Sequence, residues 1–143
     1  NARWGDPEAE ALLLSLKTDM YELGEAVAKR NILKVKIKSD KLCRVAVCGS
    51  SPLEVSTVGR QIFGLQEAAK IPGVKIFGKR VGRVGKKYFA EQGRLFFVVG
   101  EGKNVVEARE KAYRAMSLIS IEGNNLHYRT DIGFNDVERF WKV

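Results

Sequence analysis

The residues best suited to chemistry open the chain: Asn1-Ala2-Arg3-Trp4-Gly5-Asp6-Pro7-Glu8-Ala9-Glu10. A carboxamide, a guanidinium and three carboxylates gather around a glycine. A guanidinium can grip phosphate or carboxylate oxygens with two parallel N–H bonds. A carboxamide carbonyl can offer an uncharged oxygen to a hard cation. Pro7 suits the first position of a helix, where its missing N–H is not needed, and Asp6 suits the N-cap before it. Glu8 and Glu10 then fall where the positive end of the helix dipole favours anions. Asn1, Arg3 and Gly5 are thereby expected on a loop that runs into a helix start.

Elements that would position this loop follow. A first helix is expected from Pro7 to about Lys17, with Leu12, Leu13 and Leu16 at helical spacing. A second begins at Asp19, with Glu22 as capping-box partner and Met20, Leu23, Ala26 and Val27 on one stripe. From Ile32 to Lys38 apolar residues alternate with lysines, which predicts a half-buried strand returning through Leu42–Cys48 as an antiparallel hairpin. Val74–Phe77 predicts a short strand. Arg94–Val99 predicts a central strand closed by a turn at Gly100-Glu101-Gly102. Asn104 and Glu107 open a long helix with Val105, Ala108, Ala112, Met116 and Ile119 as its buried stripe. Leu126–Arg129 reads as a last strand, and Asp136–Trp141 as a final turn or helix.

Composition narrows the class. The chain has 143 residues, enough for one domain with a real core. A net charge of +8 favours anionic partners. The most basic stretch, Lys79-Arg80-Val81-Gly82-Arg83-Val84-Gly85-Lys86-Lys87, reads as a hairpin tip; no aromatic residue interleaves to make a base-stacking surface. Cys43 and Cys48 are five apart, so a regular strand would send them to opposite faces. With a single histidine, His127, and no CxxC pair, there is no zinc signature. Gly100-x-Gly102 lacks the third glycine of a dinucleotide fingerprint. Arg129 and Asp131 are expected to pin the chain rather than to catalyse. No apolar run reaches membrane-spanning length and no signal-like segment opens the chain, so a cytoplasmic protein without membrane contact is expected.

Asn1-x-Arg3-x-Gly5-Asp6-Pro7-Glu8-x-Glu10 resembles the signature of phosphoribosylamine–glycine ligases, ATP-grasp enzymes of purine biosynthesis. Glu107-Ala108-Arg109-Glu110-Lys111-Ala112-Tyr113 and Tyr128-Arg129-x-Asp131-Ile132-Gly133 resemble motifs of the same family's C-terminal domain, in the right order. The resemblance runs from Asn1 to Gly133 with a weaker middle. Ser50-Ser51-Pro52 stands where the family has a glycine-tyrosine-proline segment, and the His-Ala-Gly-Thr segment expected near the basic stretch is absent.

The resemblance implies an α+β fold: two N-terminal helices, then a mostly antiparallel sheet packed by one long helix. It implies a division into residues 1–31, the end of the ATP-grasp domain, and residues 32–143, a β-rich C-terminal domain. It implies ATP and Mg2+ (or Mn2+) as cofactors, with Asn1 as a metal ligand within a Glu-x-Asn-x-Arg motif. Arg3 would contact the nucleotide and stabilise the transition state, and Gly5, Asp6 and Pro7 would face glycine and 5-phosphoribosylamine. The chain lacks a glycine-rich loop with its lysine and a region to hold adenine. It is therefore expected to be a C-terminal portion, inactive without an N-terminal ATP-grasp partner. A nucleic-acid-binding domain and a non-catalytic interaction domain remain the alternatives.

Overall fold

In the computed structural model, residues 3–141 are described. The architecture is α+β, built on two antiparallel sheets. Helix α1 spans Glu8–Ser15. Pro7 sits just outside it, at φ −98° and ψ 22°. Asp6, expected as the N-cap, makes no capping bond. Glu8 does related work instead, reaching back so that its Oε2 accepts from the Gly5 N–H at 3.1 Å. Helix α2, Met20–Ala28, starts as expected: the Asp19 carboxylate accepts from the N–H groups of Tyr21 (2.7 Å) and Glu22 (3.2 Å). Its stripe is only partly covered, since Ala26 is buried while Met20 and Val27 are exposed.

The predicted strand over 32–38 does not form. Ile32–Lys34 is a short 3-10 turn and the following residues run irregularly beside the α1–α2 connection. Lys17 N–H donates to Lys38 O, and Lys38 N–H donates to the Thr18 hydroxyl. Alternation alone is not enough; a strand needs a partner and a face to bury. Leu33 is fully exposed and Ile37 is exposed.

The partner that the hairpin reading assigned to 32–38 is supplied from further along. Strand β1, Cys43–Ser50, pairs antiparallel with β6, Arg94–Gly102, which also pairs with β3, Val74–Gly78. The register sets Val47 opposite Val98 and Val98 opposite Ile76. Strand β6 is central, and Leu95 through Gly100 are all buried. The expected turn at Gly100–Gly102 is instead the end of this strand. Helix α4, Val105–Met116, lies across one face. Asn104 Oδ1 accepts from Glu107 N–H at 2.9 Å, while Glu107 Oε2 accepts from Lys103 N–H at 2.8 Å. Ala108, Ala112, Ala115 and Met116 point into the core. Close packing here rests on two missing side chains. A Cβ on Gly100 would stand 2.6 Å from Ala112 N, and one on Gly102 would stand 2.6 Å from Ala108 N.

Strands β2 (Gln61–Phe63), β4 (Val81–Val84), β5 (Lys87–Ala90) and β7 (Ser120–Ile121) form the second sheet, in the order β4-β5-β2-β7. Helix α3, Leu65–Ala69, follows β2, and helix α5, Phe134–Trp141, closes the described chain. Ile62, Ala68, Ala90 and Ile121 join the same core as Val47, Val98 and Met116. The expected strand at 126–129 shrinks to one bridge, in which Ser50 and His127 exchange both backbone bonds at 2.8 Å. On the face of the first sheet away from α4, helix α1 lies against β1 and β6. Side-chain alternation places Cys48 and Phe97 on that outer face.

Candidate functional site

The Arg3–Pro7 loop sits where α1 meets this outer face. Arg3 is exposed and spends one N–H of its guanidinium on Trp4 O, at 3.0 Å. Gly5 leaves room for the returning Glu8, since a Cβ there would lie 2.6 Å from Glu8 Oε2. Pro7 is half-buried at the head of α1. Asn1, expected as a metal ligand, lies outside the described residues.

Asp6 turns toward the sheet. Its carboxylate receives the Lys79 ammonium, and Arg94 Nη1 stands 3.8 Å away. The same Arg94 nitrogen donates to Asp6 O at 3.3 Å. Hydrogen bonding from Lys79 holds the Asp6 carboxyl below the usual carboxylate range, with Arg94 and Arg3 adding to the effect against some desolvation. Lys79 Nζ also lies 5.8 Å from the centre of the Phe97 ring. Cys48 sits within reach of the same charges, but burial dominates and pushes its thiol up. The buried Oε2 of Glu10 has no hydrogen-bond partner among the described residues.

Sequence reasoning placed Arg3, Gly5, Asp6 and Pro7 on one loop, and the structure keeps them together there. Lys79 and Arg94 do not stand out in the sequence, where Lys79 reads only as part of a basic run and Arg94 only as the start of a strand. Their meeting depends on the β3–β6 pairing, which no local pattern encodes.

The remaining candidates are structural in geometry. Arg129 and Asp131 form a two-pronged exposed pair at 2.9 and 2.6 Å. The segment around them is tied to α4. Tyr113 OH donates to Arg129 O at 2.8 Å and accepts from Ile132 N–H at 3.1 Å. Arg109 donates to Ile132 O and Thr130 O, and lies 4.5 Å from the centre of the Tyr113 ring. The basic run forms the β4–β5 hairpin, whose tip carries Gly85 at φ 59°. Cys43 and Cys48 are both unpaired thiols.

Beside the loop, an open apolar groove of about 800 Å³ runs between α1, α2 and the 32–42 segment. Trp4, Leu12, Leu16, Leu23, Val27 and Ile37 line it. Among the described residues no three His, Cys, Asp or Glu side chains converge as a metal site. No helix among them is long and apolar enough to cross a membrane.

By its architecture the chain is an α+β domain with a glycine-packed helix on one face of its main sheet and a guanidinium-bearing loop at the rim of the other. Comparison with known proteins gives the particular family. The family model described as "Phosphoribosylglycinamide synthetase, C domain" matches residues 41–135, and the chain belongs to that family. Phosphoribosylamine–glycine ligase of Caldanaerobacter subterraneus subsp. tengcongensis is 38% identical over 137 residues, covering 92% of this chain and 31% of that protein. The Pseudomonas putida ligase is 32% identical over 142 residues, covering 97% of this chain and 32% of its own length. The chloroplastic ligase of Arabidopsis thaliana is 34% identical over 138 residues, covering 94% and 26%. The chain thus spans about a third of the length of the curated relatives it matches.

Proposed function

We propose that the chain works as the C-terminal portion of an ATP-dependent ligase that joins glycine to 5-phosphoribosylamine, with release of ADP and phosphate. The observation that carries this is the length relation: relatives named phosphoribosylamine–glycine ligase match nearly the whole chain, yet are about three times as long. The open apolar groove is compatible with it, since an exposed apolar cleft offers a surface on which the rest of such a ligase could pack. Residues 1–31 would close the ATP-grasp part, and residues 32–143 would form the attached β-rich domain.

In this reading Arg3 is the residue closest to the chemistry. Ligases of this type make an acyl phosphate from a carboxylate and ATP, and an amine then displaces phosphate. Arg3 would hold oxygens that gain charge in the transition state, where a fixed donor counts most. Gly5, Asp6 and Pro7 would shape the loop facing glycine and 5-phosphoribosylamine. Asn1 would give its side-chain oxygen to Mg2+ or Mn2+, completed by ligands outside the described residues. The metal's chemistry when bound is charge neutralisation on the nucleotide phosphates.

The test is complementation. The 143-residue chain is mixed or co-expressed with an N-terminal ATP-grasp portion, and glycinamide ribonucleotide is measured from ATP, glycine and 5-phosphoribosylamine. Activity from the pair and none from the chain alone is expected. Turnover by the chain alone, or a stable pair without ligase activity, overturns the proposal. Tight binding of generic RNA or DNA with a steep salt dependence points to a nucleic-acid partner instead.

A further inference from the structure

We propose that Lys79 and Arg94 are positioning residues for the ligase reaction: by gripping Asp6 they fix the Arg3–Pro7 loop on the β-rich domain, and so set where the Arg3 guanidinium points. The inference rests on the ligase reading above, but the tether itself can be measured without it.

Two contrasts support the assignment. The first is between a rigid frame and a loosely held loop. Lys79 and Arg80 both donate their backbone N–H to Leu95 O, at 2.8 and 3.0 Å. Arg80 Nη1 donates to Gln92 O at 3.0 Å, and Arg80 O accepts from Glu91 N–H at 3.1 Å. Arg94 opens the central strand, opposite Ser50. Both cations therefore stem from backbone locked into the first sheet. The loop, by contrast, bonds mainly to itself and to α1, through Gly5 N–H to Glu8, Ala9 N–H to Gly5 O, and Arg3 to Trp4 O. Among the described residues its polar links to the sheet all pass through Asp6: the carboxylate to Lys79 and Arg94, and the carbonyl to Arg94.

The second contrast is between geometry and stability. The Lys79 and Arg94 side chains are partly exposed, and ion pairs so placed contribute little to global stability. Two donors on two oxygens of one residue nevertheless fix an orientation, which a single contact does not. Misplacing a catalytic group by a small distance costs far more in rate than in folding.

Trp4 is the reporter. It lies two residues from Asp6, is about half exposed, and is one of only two tryptophans in the chain. In a Trp141→Phe background, acrylamide quenching and anisotropy of Trp4 are followed. Lys79→Met with Arg94→Gln is expected to raise the quenching constant about twofold and lower the anisotropy, as a freed loop moves on the nanosecond scale. Salt at 0.5 M, where the screening length is about 4 Å, should do the same to the parent and little to the double variant. Lys79→Arg should keep the parent's values. In a whole ligase carrying this chain, the double variant should lose about ten- to a hundredfold in kcat, the scale on which misorientation acts. Its KM for Mg-ATP and glycine should move less than about threefold, and Lys79→Arg should recover most of kcat. An active ligase whose kcat ignores the double substitution overturns the proposal, as does Trp4 quenching that is unchanged by both substitution and salt. If the unsubstituted ligase makes no product, the ligase reading fails and the catalytic half of the proposal with it, while the Trp4 result still decides the tether.

Discussion

The substitution Gly100→Ala adds one carbon where β6 meets the backbone of α4. That carbon would stand 2.6 Å from Ala112 N and closer still to Ala108 O. Non-bonded carbon contacts are comfortable at about 3.5–4.0 Å, so α4 must lift from the sheet by about 1 Å locally. The obstructing atoms are helix backbone, which no rotamer change can move. A gap of that size forfeits about a quarter to a half of the contact energy along the stripe of Ala108, Ala112 and Met116. Overpacking of this kind costs about 1–3 kcal/mol, and an obstacle made of backbone puts the cost near the upper end. With a urea m-value of about 1–3 kcal/mol/M, the midpoint should fall by about 1–3 M with m unchanged. Gly24→Ala is the control. Its Cβ meets nothing within 4 Å, and it lies inside α2. It should stabilise by up to about 1 kcal/mol, because alanine orders into helix at lower entropic cost. Equal midpoints for Gly100→Ala and the parent would refute the argument that β6 and α4 touch backbone to backbone.

Other predictions concern charge and thiols. The Arg44 guanidinium, nearly buried, bonds Asp40 through two nitrogens at 2.8 and 2.7 Å and Glu101 through Nε at 2.9 Å. Arg44 holds the Asp40 carboxyl far below the usual carboxylate range. A depressed folded pKa gives stability that is complete above the unfolded value of about 3.9 and is lost as pH falls toward the folded one. Thermal midpoints should therefore drop on acidification below about pH 4, and Asp40→Asn should flatten that drop; the same slope in both proteins would count against the pairing. Burial raises the Cys48 thiol pKa, so iodoacetamide at pH 8 should label Cys48 more slowly than a free cysteine standard, and speed up when the chain is unfolded. Peptide mapping reads the labelled site.

Legibility from the sequence followed the range of the interactions. Asp19 and Asn104 were found as caps because a cap needs only the next three residues. The α4 stripe was legible because Ala108, Ala112 and Met116 repeat at helical spacing. Arg94–Val99 stood out as central because its apolar run leaves no polar face. Residues 32–38 misled, because their period of two is necessary for a strand but says nothing of a partner; β1 had a better one in β6. Gly100 and Gly102 looked like a turn because their reason for being glycine lies on another element, the backbone of α4. Asp6 looked like a cap because local chemistry allows it. Two cations some seventy and ninety residues away drew it off.

That last case bears on the site. A loop read in isolation gives its residues to the nearest plausible task, which for Asp6 is the helix start. In the fold, the helix start is served by Glu8 bending back to Gly5, and Asp6 is released for a longer reach. Asp6 thereby becomes the hinge pin between the motif-bearing loop and a sheet that carries no motif. Substituting Asp6 should accordingly leave α1 intact by far-UV circular dichroism and show its effect in Trp4. A lost first turn of α1 with undisturbed Trp4 would return Asp6 to the role the sequence first suggested.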